Sequence, residues 1–78
     1  MDVDEAKTAI LKRLCYDYKR YGRGFSLAAS ALQNELQIPA EVFNDAVNAL
    51  IAKDMFVERV PFESSHVRLT EAGTLRCK

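Results

Sequence analysis

The chain has 78 residues, 49% of them hydrophobic, and its 11 Lys and Arg balance its 11 Asp and Glu. This length predicts a single domain over residues 1–78, and the composition supports a hydrophobic core rather than a disordered chain. The zero net charge argues against a generally adhesive nucleic-acid binder. No apolar run approaches the roughly 20 residues that a membrane span requires.

The two cysteines, Cys15 and Cys77, are interpreted as free thiols. They form no CxxC motif and have no cluster of His or acidic partners, so neither a zinc site nor a disulfide framework is indicated. The first residues, MDVDEAK, are acidic and do not resemble a signal peptide. We therefore expect a cytoplasmic chain with reduced cysteines and with no metal or other cofactor.

A first amphipathic helix is predicted over roughly Val3–Tyr21. Asp2, followed three residues later by Glu5, fits a capping box at its start. Apolar side chains then recur at three- and four-residue spacing: Val3, Ala6, Ile10, Leu14, Tyr18 and Tyr21. Gly22 and Gly24 end the helix.

Two further helices are predicted, one over roughly Leu27–Gln37 with Ser26 as N-cap and one from Pro39 to about Lys53. The inward side chains of the second helix are expected to be Leu27, Ala31, Leu32 and Leu36. Those of the third are Phe43, Ala46, Val47 and Leu50, opposite an outward face of Glu41, Asn44, Asp45, Asn48 and Ala52. Asp54 is expected in the left-handed conformation that often ends a helix.

The remainder predicts a hairpin and a last helical turn. MFVERV and HVRLT are rich in β-formers, and PFESS between them would form a five-residue tip. Thr70 then caps a short helical turn within EAGTLRCK. The predicted class is α+β and mostly helical.

A family resemblance rests on FSLAASALQNELQIPAEVFNDAVNALIAKDMFVERV followed by VRLTEAG. These segments resemble the winged helix-turn-helix of multiple-antibiotic-resistance-type regulators, in which an LV-E-R strand follows the third helix and LT-E-x-G ends the second wing strand. The resemblance covers about residues 25–73. It implies a three-helix winged helix-turn-helix with a C-terminal two-stranded β-hairpin wing.

In DNA-binding members of that superfamily, the third helix reads base edges and the wing contacts the backbone. The corresponding candidates here are Asn44, Asn48, Glu41, Arg59, Arg68 and Arg20, with Lys12, Lys19, Arg23 and His66 as further anchors. One departure is clear. Family members usually place Ser, Thr, Arg or Lys on this helix face, whereas Glu41 and Asp45 would repel phosphate.

Several of these features also have a purely structural interpretation. Arg59 and Arg68 could pair with Glu58 or Glu63 across the hairpin, for at most about 1 kcal/mol at an exposed site. The tyrosines of YDYKRYGRG could stack on bases, but Tyr18 and Tyr21 are expected to close the core.

Two functions therefore stay open, and an enzyme is not expected, because no base lies beside the serines or cysteines and no phosphate loop is present. The first is a small winged-helix protein that binds double-stranded DNA, as a transcriptional regulator or accessory factor. The alternative is a protein-protein interaction module in which Phe62 and Asp45 meet a partner. A monomer, or a weak dimer through the first helix, is expected.

Overall fold

The computed structural model describes residues 1–22 and 24–77, so Arg23 and Lys78 lie outside the described residues. Its helices and strands are α1 (Val3–Tyr21), β1 (Leu27–Ala28), α2 (Ala29–Leu36), α3 (Ala40–Asn48), β2 (Val57–Val60), β3 (Glu63–Leu69) and α4 (Glu71–Thr74). One π-helical turn, Ala49–Lys53, extends α3. About 59% of the chain is helical, which confirms the α+β, mostly helical class.

α1 begins and ends where the sequence predicts. The capping box is present: the Glu5 amide donates to Asp2 Oδ1 at 2.8 Å, and the Asp2 amide donates to Glu5 Oε1 at 3.2 Å. Gly22 ends the helix with a φ of 89°, which is accessible to glycine at little cost. The expectation that Tyr21 closes the core is wrong. This side chain is 60% exposed and stacks on Phe25, with ring centroids 4.9 Å apart.

The sheet has three strands rather than the predicted two. Leu27 and Ala28, expected to begin a helix, instead pair antiparallel with Val67 and His66, which gives the strand order β1-β3-β2. α2 therefore starts at Ala29 without a side-chain cap, and Ser26 is not its N-cap. Local propensity is a weak preference, whereas pairing satisfies backbone groups along the β3 edge that would otherwise stay open.

The hairpin tip is also tighter than predicted. Pro61 and Phe62 form the turn, and Val60 is already paired with Glu63. The register shifts between Arg59, which faces Val67, and Val60, so β3 contains extra residues at this bulge. A bulge absorbs such a mismatch without ending the ladder. The predicted five-residue loop is therefore mostly strand.

The core lies between the helices and one face of the sheet. Its buried apolar members are Ala6, Ile10, Leu14, Leu32, Ile38, Phe43, Ala46, Val47, Leu50, Val57, Val67, Leu69 and Cys77. The predicted inward face of α3 is confirmed. Ala31, predicted to face inward, is exposed.

The chain leaves the third helix differently from the prediction at Asp54. The residue with positive φ is Met55, at 59°, while Asp54 keeps a right-handed conformation. The Asp54 carboxylate instead forms an ion pair with Lys7, with Nζ and Oδ2 2.7 Å apart. This contact ties the end of the π-helical turn to the first turns of α1.

Cys15 and Cys77 form a disulfide, so the prediction of two free thiols is wrong. Their Cα atoms lie 5.3 Å apart, although 62 residues separate them along the chain. Such a separation carries no local signal, because the two residues approach only once α1 and the chain end have folded together. Disulfides persist in oxidising compartments, so the expected cytoplasmic location loses the support it drew from reduced cysteines.

Gly73 in α4 is buried against the chain between the π-helical turn and β2. A Cβ atom at Gly73 would collide with the backbone oxygen of Phe56 and lie 3.1 Å from Leu69 Cδ2. The same Phe56 oxygen accepts a hydrogen bond from the Thr70 amide at 3.0 Å. Thr70 Oγ1 in turn accepts from the Gly73 amide at 3.0 Å, which confirms the predicted cap. Close backbone approach therefore requires glycine here.

We predict that Gly73→Ala destabilises the domain. In an open helix this change would stabilise by about 1 kcal/mol, but the collision with backbone reverses the sign and should cost on the order of 1–3 kcal/mol. Urea unfolding followed by circular dichroism measures the difference. Gly24→Ala is the matched control, because among the described residues no atom beyond its chain neighbours lies within 4 Å of the added Cβ. Equal stability of the native chain and Gly73→Ala would contradict the close approach.

Candidate nucleic-acid interface

The outward face of α3 is defined by what the helix buries. Phe43, Ala46 and Val47 are buried. The other side of the helix exposes four polar side chains, Glu41, Asn44, Asp45 and Asn48. Within the described ranges, none of the four makes a side-chain hydrogen bond or salt bridge. The face therefore presents two amides and two carboxylates to solvent, and α3 itself contains no Lys or Arg.

The two wing arginines have different surroundings. Arg68 Nε donates to Glu58 Oε2 at 2.7 Å, and the two residues are directly opposite each other on β3 and β2. Since side chains alternate along a strand, Arg68 lies on the face opposite to the buried Val67 and Leu69. Arg59 Nη1 donates to the Ser64 carbonyl oxygen at 3.1 Å. The carboxylate of Glu58 thus compensates the charge of Arg68. The carbonyl oxygen that Arg59 contacts has no net charge, so this hydrogen bond does not compensate the charge of Arg59.

Arg20 belongs to an aromatic cluster at the C-terminal end of α1. Its Nη1 donates to the Tyr16 hydroxyl at 2.6 Å, and its guanidinium carbon lies 5.4 Å from the Tyr16 ring centroid and 5.6 Å from that of Tyr21. Exposed cation–π contacts of this kind contribute about 0.5–1 kcal/mol. Lys12 and Lys19 are exposed on the same helix.

A third group of charges serves the fold. Arg13 forms an ion pair with Asp17, in which Nη1 and Oδ2 are 2.6 Å apart but are not aligned for a hydrogen bond. Arg13 also forms an ion pair with Glu35 on α2. Asp17 is only 4% exposed. The carboxylate of Glu35, and after it that of Asp17, raises the pKa of Arg13, and the same guanidinium lowers the pKa of Glu35. The four-residue spacing of Arg13 and Asp17 is a sequence signal for their pairing, but nothing local indicates Glu35.

The candidate residues occupy three separate places. Asn44, Asn48 and Glu41 share the α3 face, Arg59 and Arg68 lie on the wing, and Arg20 contacts tyrosines of α1. Across residues 1–22 and 24–77, no hydrogen bond or salt bridge joins the candidate arginines to α3. The structure thus brings the three α3 residues together on one helix face, while the direct polar partners of the arginines are found elsewhere.

The residues considered for a protein partner belong to different elements. Phe62 at the wing tip is 99% exposed, and Asp45 lies on α3. The single histidine, His66, is half-buried, with Nδ1 3.2 Å from Glu63 Oε2.

The described part of the chain contains neither a metal-binding cluster nor a membrane-spanning helix. No group of three or more His, Cys, Asp and Glu side chains is placed to hold a metal ion. No helix there combines the length and the apolar character needed to cross a membrane.

Comparison with known proteins identifies no relative. No family model, no curated protein and no solved structure matches the chain. The binding properties of the domain must therefore be inferred from its own side chains.

We predict that Glu35 makes a pH-dependent contribution to the free energy of unfolding. Because the pKa of Glu35 is lowered in the folded chain, its contribution is complete above the ordinary value of about 4.3 and is lost as pH falls through the lowered pKa. Glu35→Gln should therefore unfold at lower urea than the native chain near neutral pH, and the gap should close in acid.

Urea midpoints measured along a pH series test this contribution. Asp45→Asn is the control, since Asp45 is an exposed carboxylate with no ion-pair partner within the described residues. A gap between Glu35→Gln and the native chain that stays constant with pH would contradict the prediction.

Proposed function

We propose that the chain is a small winged-helix protein that binds double-stranded DNA, as a transcriptional regulator or accessory factor. The element order α1-β1-α2-α3-β2-β3 and the strand order β1-β3-β2 support this assignment, since a helix pair is followed by a hairpin that can act as a wing. The observation that carries the proposal is the outward placement of Asn44 and Asn48. These amides lie four residues apart, hence on one side of α3.

The proposed contacts follow from the chemistry of that face. An Asn amide can donate to adenine N7 and accept from adenine N6, and a carboxylate such as Glu41 can accept from cytosine N4. Such contacts distinguish bases but provide no attraction to phosphate. The carboxylates of Glu41 and Asp45 instead oppose the phosphate charge. Binding through α3 would therefore depend strongly on sequence and weakly on charge.

The electrostatic anchor is assigned mainly to Arg59. It is exposed on the wing, and its hydrogen bond to a carbonyl oxygen leaves the charge available to phosphate. Arg68 would first have to leave Glu58, which competes with phosphate for the same guanidinium. Arg20 would contribute at the end of α1. Few phosphates are neutralised in this arrangement, so the salt dependence of binding should be shallow.

We expect fluorescence anisotropy with random-sequence duplex to detect weak binding at about 50 mM salt. In a salt titration, log K should then fall with log salt with a slope of about −0.9 for each phosphate neutralised. Arg59→Gln should reduce this slope by about one phosphate contact, and Arg59→Lys, which keeps the charge, should preserve it. Asn48→Ala should instead weaken selection among sequences and leave the slope unchanged.

The absence of binding at low salt would refute the DNA proposal. A slope that is the same for Arg59→Gln and the native chain would refute the assignment of the electrostatic anchor to Arg59, because phosphate would then be bound elsewhere.

A second candidate function, a protein-protein interaction module, is favoured by Phe62. This phenylalanine is 99% exposed at a turn, so its whole ring is available for burial against an apolar surface of a partner. The acidic face containing Asp45 would then help to exclude nucleic acid from α3.

For this candidate, affinity capture from the source cells should recover a partner that Phe62→Ser loses and Phe62→Leu retains. Burial of one aromatic anchor commonly contributes 2 kcal/mol or more, roughly a 30-fold change in affinity. Recovery of the same proteins with Phe62→Ser would argue against a role for the wing tip.

A further inference from the structure

A groove runs beside the disulfide on the outer side of α1. Its volume is about 530 Å³, and it is lined by Leu11, Lys12, Cys15, Tyr16, Lys19 and Arg76 among others. Sites for small molecules and cofactors commonly measure about 300–1,000 Å³. The groove includes Lys12 and Lys19, which the sequence suggested as further DNA anchors, but none of the residues assigned above to base or phosphate contacts: Asn44, Asn48, Glu41, Arg59, Arg68 and Arg20.

The groove concentrates positive charge. Lys12, Lys19 and Arg76 line it, and no carboxylate of residues 1–22 or 24–77 does. Over the described part of the chain, none of these three cations forms a salt bridge. Lys12 and Lys19 are seven residues apart, which places them on one side of the helix about 10 Å from each other along its axis. This spacing allows both ammonium groups to approach one anionic ligand.

The disulfide brings the third cation to the groove. Cys15 lies between the two lysines in the sequence and is bonded to Cys77, the neighbour of Arg76. Hydrogen bonds from the Arg76 amide to the Gly73 oxygen, at 3.0 Å, and from the Cys77 amide to the Thr74 oxygen further fix this segment. The Arg76 guanidinium also lies 5.3 Å from the Phe56 ring centroid. Charges from two distant parts of the chain are thus held at one place.

We propose that this groove binds a small ligand that carries a phosphate or pyrophosphate group. A cluster of two ammonium groups and one guanidinium suits a multiply charged anion, because guanidinium binds phosphate oxygens in a bidentate manner and lysine acts as a point charge. Leu11 and the Tyr16 ring provide an apolar wall for the organic part of the ligand. The site lies apart from α3 and the wing, so it adds a small-molecule site to the domain and does not depend on DNA binding.

The test is a titration of the ¹⁵N-labelled chain with inorganic pyrophosphate at constant ionic strength, followed by NMR. Saturable shifts are expected for amides of α1 between Lys12 and Lys19 and for Arg76. Lys12→Gln, Lys19→Gln and Arg76→Gln should each weaken binding by about tenfold or more, because each removes one charge-assisted contact with the anion. Arg76→Lys should recover part of the loss. Lys53→Gln, which removes an exposed cation outside the groove, should have no effect.

Three results would overturn the proposal. They are the absence of saturable shifts, an affinity that Lys12→Gln and Arg76→Gln leave unchanged, and displacement of pyrophosphate by a short random duplex that shifts the same amides. The last result would make the groove a contact for the DNA backbone rather than a small-molecule site. A failure of pyrophosphate binding would not affect the Arg59 and Asn48 measurements, because those residues lie outside the groove.

Discussion

The burial of one side of α3 is the constraint on which the rest of the structure depends. Phe43, Val47 and Leu50 belong to the same apolar core as Ile10 and Leu14 of α1. Once these side chains are buried, the 100° rotation per residue leaves no freedom in what α3 exposes. The outward amides and carboxylates are therefore a consequence of core formation, and any function of this face must use those groups.

The distribution of charge separates two kinds of binding. Three cations are committed to the fold or to the wing: Lys7 pairs with Asp54, Arg13 with Asp17 and Glu35, and Arg68 with Glu58. A buried carboxylate such as Asp17 needs its partner, since an unpaired buried charge is strongly destabilising. Among the described residues, the cations without such partners include Lys12, Lys19 and Arg20 on α1, whereas α3 itself contains no Lys or Arg. Base reading and phosphate binding are consequently proposed for different surfaces.

The disulfide and the third strand show how distant segments complete the domain. β1 pairs with β3 across about 40 residues of chain, and Cys15 reaches Cys77 across 62. A chain this short buries only about 60% of its unfolded surface, so its core is small. Links between distant segments therefore add stability that the core alone supplies with difficulty. The disulfide also sets the position of Arg76, so a structural bond shapes the groove proposed as a ligand site.

The sequence by itself determined the features that depend on neighbouring residues. The capping box of α1, the Gly22 end, the buried stripe of α3 and the Thr70 cap all follow from spacings of four residues or fewer within one element. The outward position of the candidate residues Asn44 and Asn48 could be predicted for the same reason, because one helix carries both the core residues and the exposed ones.

Only the tertiary structure decided the features that join distant segments. The pairing of Leu27 with Val67, the Arg13–Glu35 contact, the disulfide and the collision that requires Gly73 each depend on two surfaces meeting after folding. Their free energies come from contacts between residues far apart in the chain, and no local pattern specifies such contacts. For the same physical reason, the groove between α1 and Arg76 could not be predicted from the sequence.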